Sequence, residues 1–272
     1  MARAVRRIRL DAELVRRGLA RSREHAGELV AAGKVKVAGA VATKPATGVG
    51  ADAAIVVDTS ADEPGYASRG AHKLLGALRV FEPDGLTVTG RRCLDAGAST
   101  GGFTDVLLRA GAAQVIAVDV GYGQLAWALQ TDQRVTVMDR TNVRNLTLDA
   151  IGGTPVDLVV GDLSFISLTL VLPALTSVTS PGGDLVLMVK PQFEVGKDRL
   201  GKGGVVRDPE LRADAARTVA AAALELGWGI EGVAASPLPG PSGNVEYFLW
   251  IRRGAAVLDE TMLRSAIDAG PT

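Results

Sequence analysis

Two lysines and two acidic residues of this 272-residue chain stand where a solvated surface charge is hard to explain. Asp162 and Lys190 each end a strongly apolar run, Lys73 lies near the start of a predicted helix, and Glu246 directly precedes the last apolar run. Because neighbouring parallel strands end at one edge of a sheet, Asp162 and Lys190 are expected to meet there. This favours general acid–base chemistry, and a structural ion pair between Asp162 and Lys190 is the alternative.

A glycine-rich turn follows the first predicted strand of the larger part of the chain. It reads Asp95-Ala-Gly97-Ala-Ser99-Thr100-Gly101-Gly102-Phe103, and a helix follows it. Glycine lacks a Cβ atom, so the backbone can approach a ligand that also faces the helix N-terminus. Taken alone, such a turn could serve a dinucleotide.

Further acids end the next two predicted strands. Asp119 lies about 20 residues beyond the turn, where a carboxylate can accept both hydroxyls of a ribose. Asp139 and Arg140 end the third strand, where an adenine usually lies. Acids at three successive strand ends predict a nucleotide-type cofactor, and solvated loops are the alternative for Asp119 and Asp139.

From Arg69 onwards, apolar runs alternate with helical segments, which predicts a mostly parallel sheet with helices on both faces. The main helices are Ala71–Phe81 and Pro209–Leu226, the second with Asp208 as N-cap and Gly227 after its end. The predicted strands are Arg92–Ala96, Gln114–Val120, Val135–Met138, Val156–Leu163, Asp184–Val189, Ile230–Ala235 and Tyr247–Ile251.

The N-terminal part of the chain is strongly basic. Residues 1–44 contain eleven Lys and Arg against four Asp and Glu, a net charge of +7, although the whole chain is neutral. The pattern predicts a helix in residues 9–23 that stops at Gly18 and turns Leu10, Leu14 and Leu19 inwards. Ser22 is expected to cap a second helix, Arg23–Ala32, ahead of a strand in residues 34–37. Such a module is typical of attachment to nucleic acid, and a solubilised helix pair is the alternative.

The composition excludes several classes of protein. Apolar residues make up 47% of the chain, and the single cysteine, Cys93, permits neither an intramolecular disulfide nor a cysteine-based zinc site. Residues 1–10 do not form a signal peptide, and no stretch approaches the ~20 apolar residues that span a bilayer. We therefore expect a cytoplasmic protein without membrane insertion and without a metal.

Three parts of the chain resemble known families. The turn Asp-x-Gly-x-x-x-Gly at Asp95 resembles the first motif of class I S-adenosylmethionine methyltransferases, in which the leading acid faces the charged methionine end of the cofactor. Arg9-Leu-Asp11, Ser22-Arg23 and Gly33–Gly39 resemble the S4 RNA-binding domain. The set Lys73, Asp162, Lys190 and Glu246 resembles that of ribose 2′-O-methyltransferases related to the heat-shock RNA methyltransferase FtsJ.

Nearly the whole chain resembles the TlyA family, which is often labelled haemolysin but is better supported as methylating cytidine 2′-oxygens of ribosomal RNA. The resemblance rests on Ser68–Lys73, Leu94–Thr104, Asp119–Leu125, Asp162–Ser167, Lys190–Gly196 and Ser236–Phe248. It implies an S4-like domain in residues 1–62, a linker in residues 63–67 and a Rossmann-like FtsJ-type domain with a seven-stranded sheet in residues 68–272. The implied cofactor is S-adenosylmethionine, the implied partners are 16S or 23S ribosomal RNA and ribosomal subunits, and a monomer is expected.

The resemblance also assigns residues. Catalysis falls to Lys73, Asp162, Lys190 and Glu246. The cofactor would contact Asp95, Gly97, Ser99, Thr100, Gly101, Gly102, Phe103, Asp119, Val120, Asp139, Arg140, Asp162 and Phe165. RNA would contact Arg9, Arg21, Arg23, Lys44, Arg69, Arg140, Arg144 and Ser242, with Phe165 and Ser242 lining the cofactor and target pocket.

The hypothetical mechanism makes Lys190, in its neutral form, the base for a ribose hydroxyl, with Lys73 supplying a neighbouring positive charge. Asp162 would orient Lys190, and Glu246 would position Lys73 or the ribose. Three alternatives stay open: a membrane-active haemolysin, an RNA-binding module with an inactive methyltransferase domain, and methylation of a base nitrogen. The last typically uses an Asn/Asp-Pro-Pro-aromatic motif, whereas this chain has Asp162-Leu-Ser-Phe165.

Overall fold

The computed structural model describes residues 7–20, 22–50, 53–57, 65–240 and 242–271, with the backbone alone at residues 197 and 202. The chain divides into two compact units, Met1–Gly65 and Tyr66–Thr272. This division falls inside the segment 63–67 for which a linker is predicted. Arg21, predicted to contact RNA, lies outside the described residues.

The N-terminal unit combines two short helices with small antiparallel sheets. Its elements are β1 (Ile8–Arg9), α1 (Leu10–Arg16), α2 (Arg23–Ala31), β2 (Val35–Val37), β3 (Ala40–Val41), β4 (Gly48–Val49) and β5 (Ile55–Val57). Strand β1 pairs with β4, and β2 pairs with both β3 and β5. The Ser22 hydroxyl accepts a hydrogen bond from the His25 backbone N–H, so the predicted cap of α2 is confirmed.

The core of this unit is small and contains Leu10 and Leu14, both fully buried, together with residues of α2 and β2. Helix α1 ends at Arg16, and Gly18 follows its C-cap with a positive φ of 70°, so the predicted stop at Gly18 is confirmed. The chain therefore leaves the helix before Leu19, which is 36% exposed, so the prediction that Leu19 faces inwards is wrong.

The C-terminal unit alternates strands and helices. Its first half contains α3 (Gly70–Phe81), β6 (Arg92–Ala96), α4 (Gly102–Arg109), β7 (Gln114–Val118), α5 (Trp127–Gln130), β8 (Val135–Met138) and β9 (Val156–Gly161). Its second half contains α6 (Leu172–Val178), β10 (Thr179–Val189), α7 (Pro191–Glu194), α8 (Pro209–Glu225), β11 (Trp228–Ala235), β12 (Tyr247–Arg253) and α9 (Glu260–Asp268). Among the described residues, no helix is long and apolar enough to cross a membrane.

The seven strands of this unit form one sheet in the order β11-β12-β10-β9-β6-β7-β8. The five strands from β10 to β8 in that order run parallel, and β12 is antiparallel to both β10 and β11. The predicted seven-stranded, mostly parallel sheet is therefore confirmed. Strands β7 and β9 end at Val118 and Gly161, two residues earlier than predicted, so Asp119 and Asp162 begin the loops that follow.

Successive strand residues supply the two faces of the sheet. On β6, Cys93 belongs to the core under α3 and α4, and Leu94 belongs to the core under α6, α8 and α9. Both side chains are fully buried, and burial raises the pKa of the Cys93 thiol to about 12. Cys93 therefore behaves as the small buried apolar residue that its sequence context predicts.

Candidate active site

Lys190 lies against an acidic residue and a hydroxyl. Its Nζ is 2.5 Å from Oδ1 of Asp162 and donates a hydrogen bond of 2.8 Å to Oγ of Ser164. The Lys190 side chain is only 8% exposed, whereas that of Asp162 is 22% exposed. Lys190 therefore contacts a carboxylate and a hydroxyl, and its side chain is largely shielded from solvent.

Lys73 forms the other half of the cluster. Its Nζ donates a hydrogen bond of 2.6 Å to Oε2 of Glu246, which is 1% exposed. The same Nζ lies 3.8 Å from Oδ2 of Asp162, so Asp162 stands between the two lysines. The sulfur of Met188 lies 3.9 Å from this Nζ and forms part of the apolar surroundings. Two lysines and two acidic residues therefore lie in one cluster.

The sheet topology explains why these residues meet. Strand β10 lies between β9 and β12, pairing Leu187 with Gly161 on one side and Val189 with Tyr247 on the other. The residue after β9, the residue after β10 and the residue before β12 therefore emerge at one edge of the sheet. These residues are Asp162, Lys190 and Glu246. Helix α3 packs on one face of the sheet and contributes Lys73 to the same cluster. Asp162 and Lys190 meet as predicted, and Lys73 and Glu246 join them, whereas the catalytic roles of the four residues stay predictions.

A cavity of about 510 Å³ adjoins this edge, a size suited to a nucleotide-type ligand. It shares Asp162 and Ser164 with the surroundings of Lys190. Its lining contains Gly97, Ser99, Val118, Asp119, Val120, Gln124, Asn142, Val143, Asp162, Leu163, Ser164, Phe165, Ile166 and Val171.

The glycines of the turn serve different purposes. Gly97 lines the cavity with φ of +85°, and a Cβ atom there would lie 3.0 Å from the backbone oxygen of Asp162. A Cβ at Gly101 would lie 2.3 Å from Cδ1 of Leu129, and one at Gly102 would lie 2.4 Å from Oγ of Ser68. We conclude that Gly97 allows the loop after β9 to approach the turn beside the cavity, whereas Gly101 and Gly102 allow α5 and α3 to pack against the turn.

Asp119 and Asp139 hold the loops at the ends of β7 and β8. The two carboxylate oxygens of Asp119 accept hydrogen bonds from the backbone N–H groups of Ser99 (2.8 Å) and Gly121 (2.7 Å). Asp119 also lines the cavity, as predicted for a ribose-binding acid, although that role stays a prediction. Asp139 accepts a hydrogen bond of 2.8 Å from the Gly123 backbone N–H and is not part of the lining.

Asp95 is a fully buried carboxylate. Its Oδ2 accepts a hydrogen bond of 2.7 Å from the Thr104 hydroxyl, and its Oδ1 has no hydrogen-bond partner among the described residues. Burial raises the pKa of Asp95 to about 7, and the nearby negative charges of Asp162 and Asp119 act in the same direction. An unpaired buried carboxylate oxygen is an attractive partner for a positively charged ligand group.

Several predicted cofactor residues lie away from the cavity lining. The side chain of Phe103 is buried in the core, 6.1 Å from the ring of Phe248, because α4 turns that side of the helix towards the sheet. Thr100 is exposed, and its carbonyl accepts a hydrogen bond from the Ala126 backbone N–H. Arg140 stacks its guanidinium over the Tyr122 ring at 4.3 Å.

Phe165 lies in the cavity wall and is 91% exposed with a positive φ of 64°, a conformation that bulky residues rarely adopt. Its ring lies 5.2 Å from that of Phe193 on α7. The predicted RNA contacts of this unit are all exposed: Arg69, Arg140, Arg144 and Ser242. In the N-terminal unit, Arg9, Arg23 and Lys44 are exposed as well.

The sequence analysis missed Ser164 and Asn142. Ser164 stands between Asp162 and Phe165, two predicted residues, and a hydroxyl two residues after an acid–base candidate was the available signal. Asn142 follows the predicted adenine segment closely and lines the cavity, and its side chain caps the short turn at Val143–Asn145.

Comparison with known proteins places the chain in a family. The FtsJ-like methyltransferase family matches residues 66–253, and the S4 domain matches residues 8–55. A protein of Mycobacterium tuberculosis named 16S/23S rRNA (cytidine-2′-O)-methyltransferase TlyA is 61% identical over 272 residues, covering 98% of this chain and 99% of its own. The chain belongs to the TlyA family of FtsJ-like methyltransferases.

Two further relatives agree with TlyA-family membership. YqxC of Bacillus subtilis is 40% identical over 97% of this chain and 94% of its own length. A solved structure of a Streptococcus thermophilus protein named as a hemolysin has a TM-score of 0.76 at 36% identity and covers 97% of this chain and 96% of that one. The predicted family and fold are thus confirmed, and the C-terminal unit is a methyltransferase domain.

Proposed function

We propose that this TlyA-family member methylates the 2′-oxygen of a cytidine ribose in ribosomal RNA with S-adenosylmethionine as methyl donor. The observation that carries the proposal is the contact of 2.5 Å between Lys190 Nζ and Asp162 Oδ1 at the wall of the cavity. The choice of cytidine and of ribosomal RNA rests on the name of the M. tuberculosis relative.

The residues around the cavity fit S-adenosylmethionine. Gly97 lines the cavity and lets its wall close tightly against the Asp162 backbone, and Asp119 lies in the wall with a carboxylate suited to ribose hydroxyls. Asp95 is not part of the cavity lining, but its unpaired Oδ1 at the start of the glycine turn suits a positively charged amino group better than it suits a pyrophosphate. When bound, S-adenosylmethionine supplies a methyl group activated by a sulfonium.

Lys190 is the base in this proposal. A ribose hydroxyl is a weak nucleophile at neutral pH, so its proton must pass to an acceptor as the oxygen attacks. Neutral Lys190 accepts that proton at Nζ, and the ammonium that forms is stabilised by Oδ1 of Asp162. The Ser164 hydroxyl, 2.8 Å from Nζ, fixes the direction in which the amine points. Placing the oxygen in line with the methyl group supplies much of the acceleration.

Lys73 lies against two carboxylates, those of Glu246 and Asp162. In this proposal, the charge of its ammonium group stabilises the negative charge that develops on the ribose oxygen. Glu246 holds Lys73 from the buried side. Removal of Glu246 would leave Lys73 without its nearest counter-ion.

The N-terminal unit is proposed to dock the ribosomal substrate. It matches the S4 domain over residues 8–55, and Arg9, Arg23 and Lys44 are exposed on it. Phosphate contacts of this kind position an RNA without reading its sequence. On the methyltransferase domain, Phe165 and Ser242 are proposed to contact the target nucleotide, with Arg69, Arg140 and Arg144 on neighbouring phosphates.

The test is transfer of a tritiated methyl group to purified 30S, 50S and 70S particles, followed by mapping of the alkali-resistant linkage. Wild-type protein should label the ribose of a cytidine. Lys190→Ala should lower turnover by at least about 100-fold, while S-adenosylmethionine binding measured by calorimetry survives. Wild-type turnover by this variant would remove Lys190 from its role, and a methyl group on a base would overturn the ribose assignment. Liposome leakage at physiological salt tests the membrane-active alternative.

A further inference from the structure

Asp11 is an almost fully buried carboxylate on a strongly basic unit. Its side chain is 6% exposed, and it accepts hydrogen bonds from two arginines that are themselves largely exposed. Arg9 donates from Nε (3.1 Å) and from Nη2 (2.8 Å), which gives a bidentate pair. Arg23 donates from Nη2 to Oδ2 at 3.0 Å. The side chains of Arg9 and Arg23 are 53% and 60% exposed.

The two arginines come from different elements, Arg9 from β1 and Arg23 from the first turn of α2. Their long side chains have many rotamers, and holding each one in a single arrangement costs entropy on binding. A shared buried carboxylate removes much of that freedom in advance and still leaves N–H groups of both guanidiniums facing solvent. The arginines hold the pKa of Asp11 well below its usual range, mainly through the Arg9 hydrogen bonds.

A second acid on the same helix shows a different arrangement. Glu13 is fully buried and accepts hydrogen bonds from Arg16 and Arg17. Arg17 is only 23% exposed and also donates to the carbonyl of Ala53, so this pair ties α1 to the segment before β5. Of the two arginines at Glu13, Arg17 therefore serves the fold and Arg16 is 58% exposed, whereas both arginines at Asp11 are largely exposed.

We propose that Asp11 is a positioning residue for RNA binding, which fixes Arg9 and Arg23 as a preformed pair for RNA phosphates. The inference rests on the proposed docking role of the N-terminal unit and extends it to a residue that does not itself touch RNA. A negative charge in such a unit weakens its attraction to a polyanion. Asp11 is compatible with RNA binding because the gain from ordering two guanidiniums exceeds that electrostatic loss.

The ordering of the two guanidiniums strengthens RNA binding, whereas the negative charge of Asp11 weakens it. A variant that removes the charge but keeps the size of the side chain therefore shows which effect is larger. In the full-length protein, Asp11→Asn should weaken binding to purified ribosomal subunits about tenfold at a fixed salt concentration. The matched control is Glu24→Gln, which removes a negative charge from an exposed position next to Arg23. This control should leave binding unchanged or strengthen it slightly. Asp11→Ser, whose hydroxyl can replace the hydrogen bond to the Ala12 backbone N–H, should behave like Asp11→Asn.

A background lacking the two arginines separates positioning from folding. In the Arg9→Gln/Arg23→Gln protein, Asp11→Asn should cause no further loss of affinity, whereas damage to the fold would weaken binding in both backgrounds. If Asp11→Asn binds ribosomal subunits as tightly as Glu24→Gln or more tightly, the positioning role of Asp11 is wrong, while the docking proposal still stands. If wild-type protein does not bind subunits, or if loss of both arginines changes nothing, the docking proposal fails first and this inference fails with it.

Discussion

Asp95→Asn replaces a fully buried carboxyl group with a neutral amide of the same size. Burial raises the pKa of Asp95 from 3.8 to about 7, so the folded protein retains a proton that the unfolded chain has lost between these values. Stability therefore falls as the pH rises through this window and stays lower above pH 7. The full penalty is roughly 4 kcal/mol, since each unit of pKa difference corresponds to about 1.4 kcal/mol.

Asparagine avoids this penalty and introduces a smaller one. Its side-chain oxygen can accept the hydrogen bond from Thr104, but its NH2 group then takes the place of Oδ1, which has no partner among the described residues. A buried unpaired donor costs about 1–3 kcal/mol. The variant should therefore be about 1–3 kcal/mol more stable than wild type at pH 8. At pH 5 the charge penalty is only about 1.5 kcal/mol, so the advantage should vanish or reverse.

Urea unfolding of both proteins at pH 5 and pH 8, without cofactor, measures this difference. Asp149→Asn, at an exposed position of the same domain, is the matched control. A variant that is less stable than wild type at pH 8 would refute the argument from burial. Calorimetry at pH 8 completes the test, because the same variant should bind S-adenosylmethionine at least about tenfold more weakly if Asp95 faces its amino group.

Three further changes test separate parts of the C-terminal unit. Ser164→Ala should lower kcat about tenfold without changing KM for the ribosomal substrate, because Lys190 loses its orienting hydrogen bond, and an equal rise in KM would contradict this. Gly97→Ala should weaken S-adenosylmethionine binding at least about tenfold by calorimetry, because its Cβ would crowd the Asp162 carbonyl at positive φ; unchanged affinity would count against the cavity as the cofactor site. The buried carboxylate of Asp184 pairs with Arg91 and Arg252 and accepts a hydrogen bond from the Trp250 indole N–H. Asp184→Asn should therefore lower the free energy of unfolding in urea by about 3 kcal/mol, and a change below about 1 kcal/mol would show that these contacts are dispensable.

The sequence predicts the sheet well because strand residues buried on both sides form nearly continuous apolar runs. The ends of these runs locate Asp162 and Lys190 within two residues, and parallel topology then brings them together. Glu246 is predictable for a related reason, since β12 begins directly after it.

Side-chain direction and close packing are less accessible to sequence. Gly101 and Gly102 belong to the same motif as Gly97, yet they face α5 and α3. These contacts depend on tertiary packing, which the motif does not specify. Phe103 enters the core for the same reason, since nothing in a motif states which side of α4 meets the sheet. In the N-terminal unit, Asp11 and its partner Arg9 belong to one recognisable motif, but the second partner, Arg23, reaches Asp11 only when α2 packs beside α1.

Asp162 connects the parts of the active site. One carboxylate oxygen faces Lys190 at 2.5 Å, the other lies 3.8 Å from Lys73, and its backbone oxygen is the atom that limits space at Gly97. As the residue directly after β9, it is held by a backbone hydrogen bond to the carbonyl of Ala96 on β6, the strand that leads into the glycine turn. A shift of this loop would therefore change the direction of Lys190 and the shape of the cavity together. In the proposed mechanism, this attachment would help to align the base with the methyl donor.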